Sequence, residues 1–276
     1  MSLRRNMFDG APPRYDRFEW LFRELDSLVD VINEINTKYR GTKLVLTAGA
    51  GREVSIILAT SFAKAMKTFQ AITTMAVLGY GEDAGILLRS NIDLLIIYAY
   101  MLAAPDTATM IDRARDFKAF SYGQHEKHMR LGFKEAPRMA PPFAPDELAQ
   151  RIERWNLTAI ADKAVVADRA GVLEQHHYDQ KYRFYSSFEH SDAIALARYI
   201  DKWDEQGPFI GSDPDDYLVE LVAADNFAVM AELTRLHCRY FDISADDYRD
   251  RIRAASKRIV EEAERRTAAR RHDSHP

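Results

Sequence analysis

The sequence predicts an all-α fold, a bundle of about seven or eight helices forming one domain over residues 1–276. Three observations carry that expectation. Apolar residues recur with helical period along almost every segment, and no segment alternates as a half-buried strand does. Helix starts are punctuated at Pro105-Asp106, Pro145-Asp146-Glu147 and Pro214-Asp215-Asp216. Proline there loses no hydrogen bond, and acids suit the positive end of the dipole. The gaps between periodic segments are short beside the segments themselves, which makes antiparallel neighbours.

In chain order, the periodicity places helices near 15–39, 52–78, 83–103, 106–130, 146–168, 178–201, 214–241 and 245–270. The stretch RGTKLVLTAGAGRE separates the first two and has room for a short extended piece. Prolines crowd residues 136–145, a surface loop internal to the single domain. DEQGPFIGSDPDD is the next long connection, and Ser244 with Asp247 has the spacing of a capping box. The polar tail, 265–276, is expected to fray. There is no internal repeat and no sustained heptad pattern.

Composition narrows the class. The chain has 276 residues, 47% of them hydrophobic and 29% charged, enough to build a large core without a staple. The single cysteine, Cys238, excludes an internal disulfide and reads as a half-buried helical thiol in a cytoplasmic protein. A net charge of −4 argues against chain-wide attraction to nucleic acid and leaves only local basic patches for it. The opening MSLRRNMFDGAPPRYDRF lacks the apolar core of a secretory signal. AGILLRSNIDLLIIYAYMLAA is as long as a membrane span, but Arg89, Asn91 and Asp93 in its middle are costly in lipid. A buried helix of a soluble protein, with no membrane partner, is the expectation.

One constellation stands out. In YDQKYRFYSSFEHSDAIALARY, helical spacing aligns Tyr182, Ser186 and His190 at i, i+4, i+8, and Arg183, Ser187 and His190 at i, i+4, i+7. Both ladders converge on His190, flanked by Glu189, while Phe184, Tyr185 and Phe188 take the other side. In LLRSNIDLLIIYAY, Arg89 and Asp93 lie one turn apart inside an apolar helix, so they pair or bind something polar. If the two helices are neighbours, Arg89, Asp93, Arg183 and His190 share one pocket.

These residues resemble a bacterial family of all-helical proteins of unknown function, marked by an Arg-x3-Glu/Asp helix and a later helix bearing Tyr-Arg, Ser and His. The likeness covers about 82–200. More remotely, Arg183-x6-His190 resembles the Arg-x4–6-His signature of HEPN (higher eukaryotes and prokaryotes nucleotide-binding) ribonucleases. That resemblance implies RNA as partner, a homodimer, Arg183 on the phosphate and His190 as general acid or base, with no metal and no cofactor. Phe184 departs from it, since a polar residue often follows the motif arginine. Two plainer readings stand beside it. Arg183 pairs with a carboxylate such as Asp93 while Ser186 and His190 satisfy buried groups. Or the pocket belongs to a non-enzymatic module that binds a small anionic ligand or a partner protein.

Other candidates carry less. Glu174-x2-His177 has di-iron spacing but no second copy, with Glu53 and Glu82 on other helices. His125 and His128 beside Glu126 read as a solvated helix end. GYGEDAG and TAGAGRE lack the P-loop lysine and read as helix caps. Arg265, Arg266, Arg270 and Arg271 read as a solvated helix end.

Overall fold

The computed structural model describes residues 18–39, 51–131, 140–173, 178–189, 200–204, 207–210, 216–244 and 246–273. The fold is all-α. Among the described residues nine α-helices follow one another: α1 Glu19–Tyr39, α2 Gly51–Val77, α3 Gly81–Leu102, α4 Thr107–Leu131, α5 Pro145–Leu157, α6 Ile160–Arg169, α7 Arg183–Glu189, α8 Asp216–Tyr240 and α9 Asp246–Asp273. A π-turn over Tyr178–Tyr182 leads into α7.

The heart of the bundle is α3, which packs against α2, α6, α7 and α8. Its Leu88, Ile92, Leu95, Ile96 and Ala99 are all fully buried. A helix apolar nearly all round belongs in the centre. So α3 is long and apolar enough to cross a membrane, yet here it is the core helix. Two buried asparagines tie α3 and α8 to α2: Asn91 of α3 donates to the Ala65 carbonyl at 3.2 Å, and Asn226 of α8 donates to the Phe69 carbonyl at 3.2 Å. Removing either donor's partner would strand a buried polar group, so these contacts fix how the helices sit along their axes.

α1 is amphipathic, with Leu21, Leu25, Leu28, Ile32 and Ile35 buried along one stripe against α8. The polar α9 lies on α1 through two ion pairs, Arg258 to Glu24 at 2.7 Å and Arg251 to Glu34 at 2.6 Å. α5 docks on α4 through the buried Asp116, which takes Arg151 at 3.0 Å and Arg154 at 2.8 Å. Beside these arginines Trp155 sits among Phe117, Tyr100 and Phe120.

Several expectations need correction. The segment 146–168 is two helices, because Thr158 and Ala159 turn extended between α5 and α6. The break carries neither glycine nor proline. Instead the buried Lys163 ammonium donates to the Trp155 carbonyl at 3.0 Å and to the Thr158 carbonyl, capping the end of α5, and lies 4.2 Å from the Trp155 ring. Burial brings its pKa down to about 8. The segment 178–201 is not one α-helix either: it opens with the π-turn at Tyr178–Tyr182, and Ile200–Asp204 forms a strand, β1. β1 pairs antiparallel with β2, Gly207–Ile210, with Ile200 opposite Ile210 and Asp204 opposite Gly207. The connection DEQGPFIGSDPDD therefore holds half of a hairpin. α9 continues past residue 265 to Asp273, and both Arg265 and Arg266 hold Glu262, at 2.6 and 2.8 Å. Finally, Cys238 is buried rather than half-buried, and burial pushes its thiol up to about 11. Asp106 caps α4 from outside its first turn, accepting the Thr109 N–H at 2.7 Å.

Candidate functional site: a polar seam between α3 and α7

Gly85 brings α7 close to α3. A Cβ at that position would stand 3.0 Å from Cδ1 of Tyr185 and 3.3 Å from Cδ2 of Phe188, so the two rings rest on bare helix backbone. That contact sets the rotation of α7. Tyr182 and Ser186 share the inward side with Tyr185, and both reach Arg89 of α3. The Arg89 guanidinium donates to the Tyr182 hydroxyl at 2.7 Å and to Ser186 Oγ at 3.2 Å, and its centre lies 5.0 Å from the Tyr182 ring centroid. Asp93 follows one turn along α3. Burial raises its pKa above the ordinary carboxylate value, opposed by the positive charges of Arg89 and Lys64.

A second polar contact anchors the same helix from behind. Asp225 of α8 takes Lys181 at 2.8 Å and accepts the Tyr185 hydroxyl at 2.8 Å. Burial and the adjacent carboxylate drive the Tyr185 pKa well above its usual value, so this hydroxyl is a donor at every ordinary pH. Tyr185 itself is fully buried, with Phe184 and Phe188 edge-on to each other beside it.

The structure thus brings together Arg89, Asp93, Tyr182 and Ser186. It does not bring Arg183 and Ser187 to them: Arg183 is exposed, and Ser187 donates to its own helix at the Phe184 carbonyl, 2.7 Å away. The rotation that points Tyr182 inward turns the position after it outward. Glu189 ends α7, and its side chain lies outside the described residues, as do His190, Glu174 and His177. Among the described residues no three His, Cys, Asp or Glu side chains gather at metal-ligand range. Lys181, Tyr185 and Asp225 were missed by sequence reasoning. The signal existed, since Asp225 and Asn226 interrupt the apolar run VAADNFAVM of α8 just as Arg89 and Asp93 interrupt α3.

Chemically, the seam offers a guanidinium whose plane is fixed by two hydroxyls. Those hydroxyls orient it, and a fixed fork suits a phosphate or carboxylate. Burial pushes the neighbouring Asp93 carboxyl up from its ordinary value, against the pull of Arg89 and Lys64.

Residues 55–208 match the model of DUF5677, a family of unknown function, and with more than half of its length inside that match the chain belongs to this family. No curated protein and no solved structure matches it. The matched span includes Arg89, Asp93, Tyr182 and Ser186, whereas α8 and α9 lie beyond it.

Proposed function

We propose that this DUF5677 member is a helical anion-binding module whose ligand, carrying a phosphate or carboxylate, is recognised at the α3–α7 seam. The supporting observation is the Arg89 guanidinium held by Tyr182 and Ser186, partners 93 and 97 residues away in sequence. An arginine ordered before its ligand arrives loses less conformational freedom on binding. Asp93 then couples binding to protonation: an anion on Arg89 raises the carboxyl further, so affinity strengthens as pH falls. The test is calorimetric binding of inorganic phosphate, acetate and adenosine monophosphate to wild type, Arg89→Gln and Tyr182→Phe. Arg89→Gln is expected to weaken the tightest probe by about tenfold or more, near 1.4 kcal/mol, and Tyr182→Phe by less. Equal binding by wild type and Arg89→Gln, or no binding of any probe, refutes the reading.

The exposure of Arg183 on α7 favours a second reading, metal-independent RNA cleavage with Arg183 on the phosphate and His190 as acid or base, in a cytoplasmic homodimer. Its test is cleavage of labelled RNA in EDTA by wild type, Arg183→Ala and His190→Ala. Products ending in 2′,3′-cyclic phosphate that vanish in both variants, each melting as wild type does, support it. No cleavage, or cleavage unaffected by either change, removes it.

A further inference from the structure

We propose that the groove between α8 and α9 is a separate binding site for an anionic amphiphile, a ligand with a phosphate-rich head on an apolar body. The groove encloses about 530 Å³, within the range of small-molecule sites. It exists because α9 leans on α1 through the Arg258–Glu24 and Arg251–Glu34 pairs, and because Ala228, Ala231 and Ser256 leave space between the two helices. Its floor is apolar, built from Phe227, Cys238, Ile243, Tyr248 and Ile252. Its banks are cationic. Arg235 and Arg239 stand one turn apart on α8, and Arg249 and Arg253 stand one turn apart on α9, all four lining the same groove.

Only Glu232 opposes them among the described lining residues, so the groove is locally positive in a chain whose net charge is −4. Arg235 is already committed: it holds both oxygens of Glu232, at 2.9 and 2.7 Å, and donates to the Val172 carbonyl at 2.6 Å. Arg239 and Arg253 are exposed and make no ion pair among the described residues. They can close on a head group from opposite banks, with the body laid on Tyr248 and Ile252. A head alone would waste the floor, and an apolar body alone would leave the arginines unmatched. Both features therefore point to one ligand chemistry. The groove lies outside the span matched by the family, and this site is independent of the α3–α7 seam.

The test is calorimetric titration of the full chain with adenosine diphosphate, dodecyl phosphate and inorganic pyrophosphate. The variants are Arg239→Gln, Arg253→Gln, Ala231→Leu and, as a charge control farther along α9 and outside the groove lining, Arg265→Gln. At least one amphiphile is expected to bind about tenfold tighter than pyrophosphate, and which one wins distinguishes a nucleotide from a lipid-like source. Arg239→Gln and Arg253→Gln should each weaken that amphiphile by about fivefold or more, and Arg265→Gln by less than about twofold. Ala231→Leu, which fills the groove without touching a charge, should abolish the advantage over pyrophosphate. Pyrophosphate binding as tightly as both amphiphiles overturns the proposal. So does equal weakening by Arg265→Gln and Arg253→Gln, or the absence of amphiphile binding below about 1 mM.

Discussion

The same substitution should have opposite effects at two glycines. Gly85 lies within α3 and Gly123 within α4, and alanine gains about 1 kcal/mol over glycine in either helix interior. At Gly123 the new Cβ meets Cδ1 of Ile152 at 2.9 Å, the tip of a half-buried side chain that can rotate away. Gly123→Ala should therefore stabilise by about 0.5–1 kcal/mol, raising Tm by about 1–4 °C for a chain this long. At Gly85 the obstacle is the Tyr185 ring at 3.0 Å, fully buried and held at its far end by the 2.8 Å bond to Asp225. Overpacking against such a ring costs about 1–3 kcal/mol, which exceeds the helix gain. Net destabilisation of about 1 kcal/mol and a Tm lower by about 2–4 °C follow. α7 is only seven residues long and relaxes by moving away from α3, carrying Tyr182 and Ser186 off Arg89. Gly85→Ala should thus also weaken phosphate binding, which Gly123→Ala leaves unchanged. Thermal melts of both variants with a phosphate titration decide the matter. An equal rise in Tm at both positions would show that α7 does not rest on Gly85.

Three further predictions concern titrating groups. Burial raises the Asp93 pKa, so its contribution to stability is full below the unfolded value near 3.8 and is lost as pH rises through the folded value. Asp93→Asn should then stabilise at neutral pH, with the gain closing below about pH 4 in urea midpoints; a loss at neutral pH would mean that pairing with Arg89 outweighs burial. His237 is buried against Phe62, its Nδ1 3.2 Å from the Tyr98 hydroxyl, and burial lowers its pKa from 6.5 to about 4. The neutral ring supports the fold above pH 6.5, and that support, about 3 kcal/mol in full, is lost as pH falls through 4. His237→Gln should flatten the urea-midpoint profile between those values, and an unchanged profile would place the acid sensitivity elsewhere. Because Cys238 sits near pKa 11 instead of 9.0, its alkylation at pH 8 should run about a hundredfold slower than that of a free thiol, and urea should restore the rate.

Much of the fold was written locally. The stripe from Leu21 to Ile35 and the apolar continuity of α3 each specify a helix and its buried face within their own residues. What periodicity could not show depends on long reach. The α5–α6 break rests on an ammonium that returns from Lys163 to the carbonyls of Trp155 and Thr158, a cap with no glycine or proline to announce it. The hairpin is a different failure. Ile200, Trp203, Phe209 and Ile210 are β-formers flanking the Asp204–Gly207 pair, but the helical period of the preceding residues extends into the first of them.

The site was legible in its members and illegible in its orientation. Charged residues inside an apolar helix mark a place where something polar must be met, which is why Arg89 and Asp93 could be singled out. Helical spacing also grouped Tyr182 with Ser186 and Arg183 with Ser187, yet spacing says only which residues share a side, never which side turns inward. That choice is made by another helix. With no side chain, Gly85 receives the rings of Tyr185 and Phe188. Tyr182 and Ser186 flank Tyr185 on the helix surface, so they follow it inward, and Arg183 and Ser187 are carried away. Asp225 then fixes the arrangement by holding Tyr185 and Lys181 together. The arginine that meets the two hydroxyls is therefore Arg89 of α3, because a glycine one turn before it on the same helix decides which face of α7 it sees.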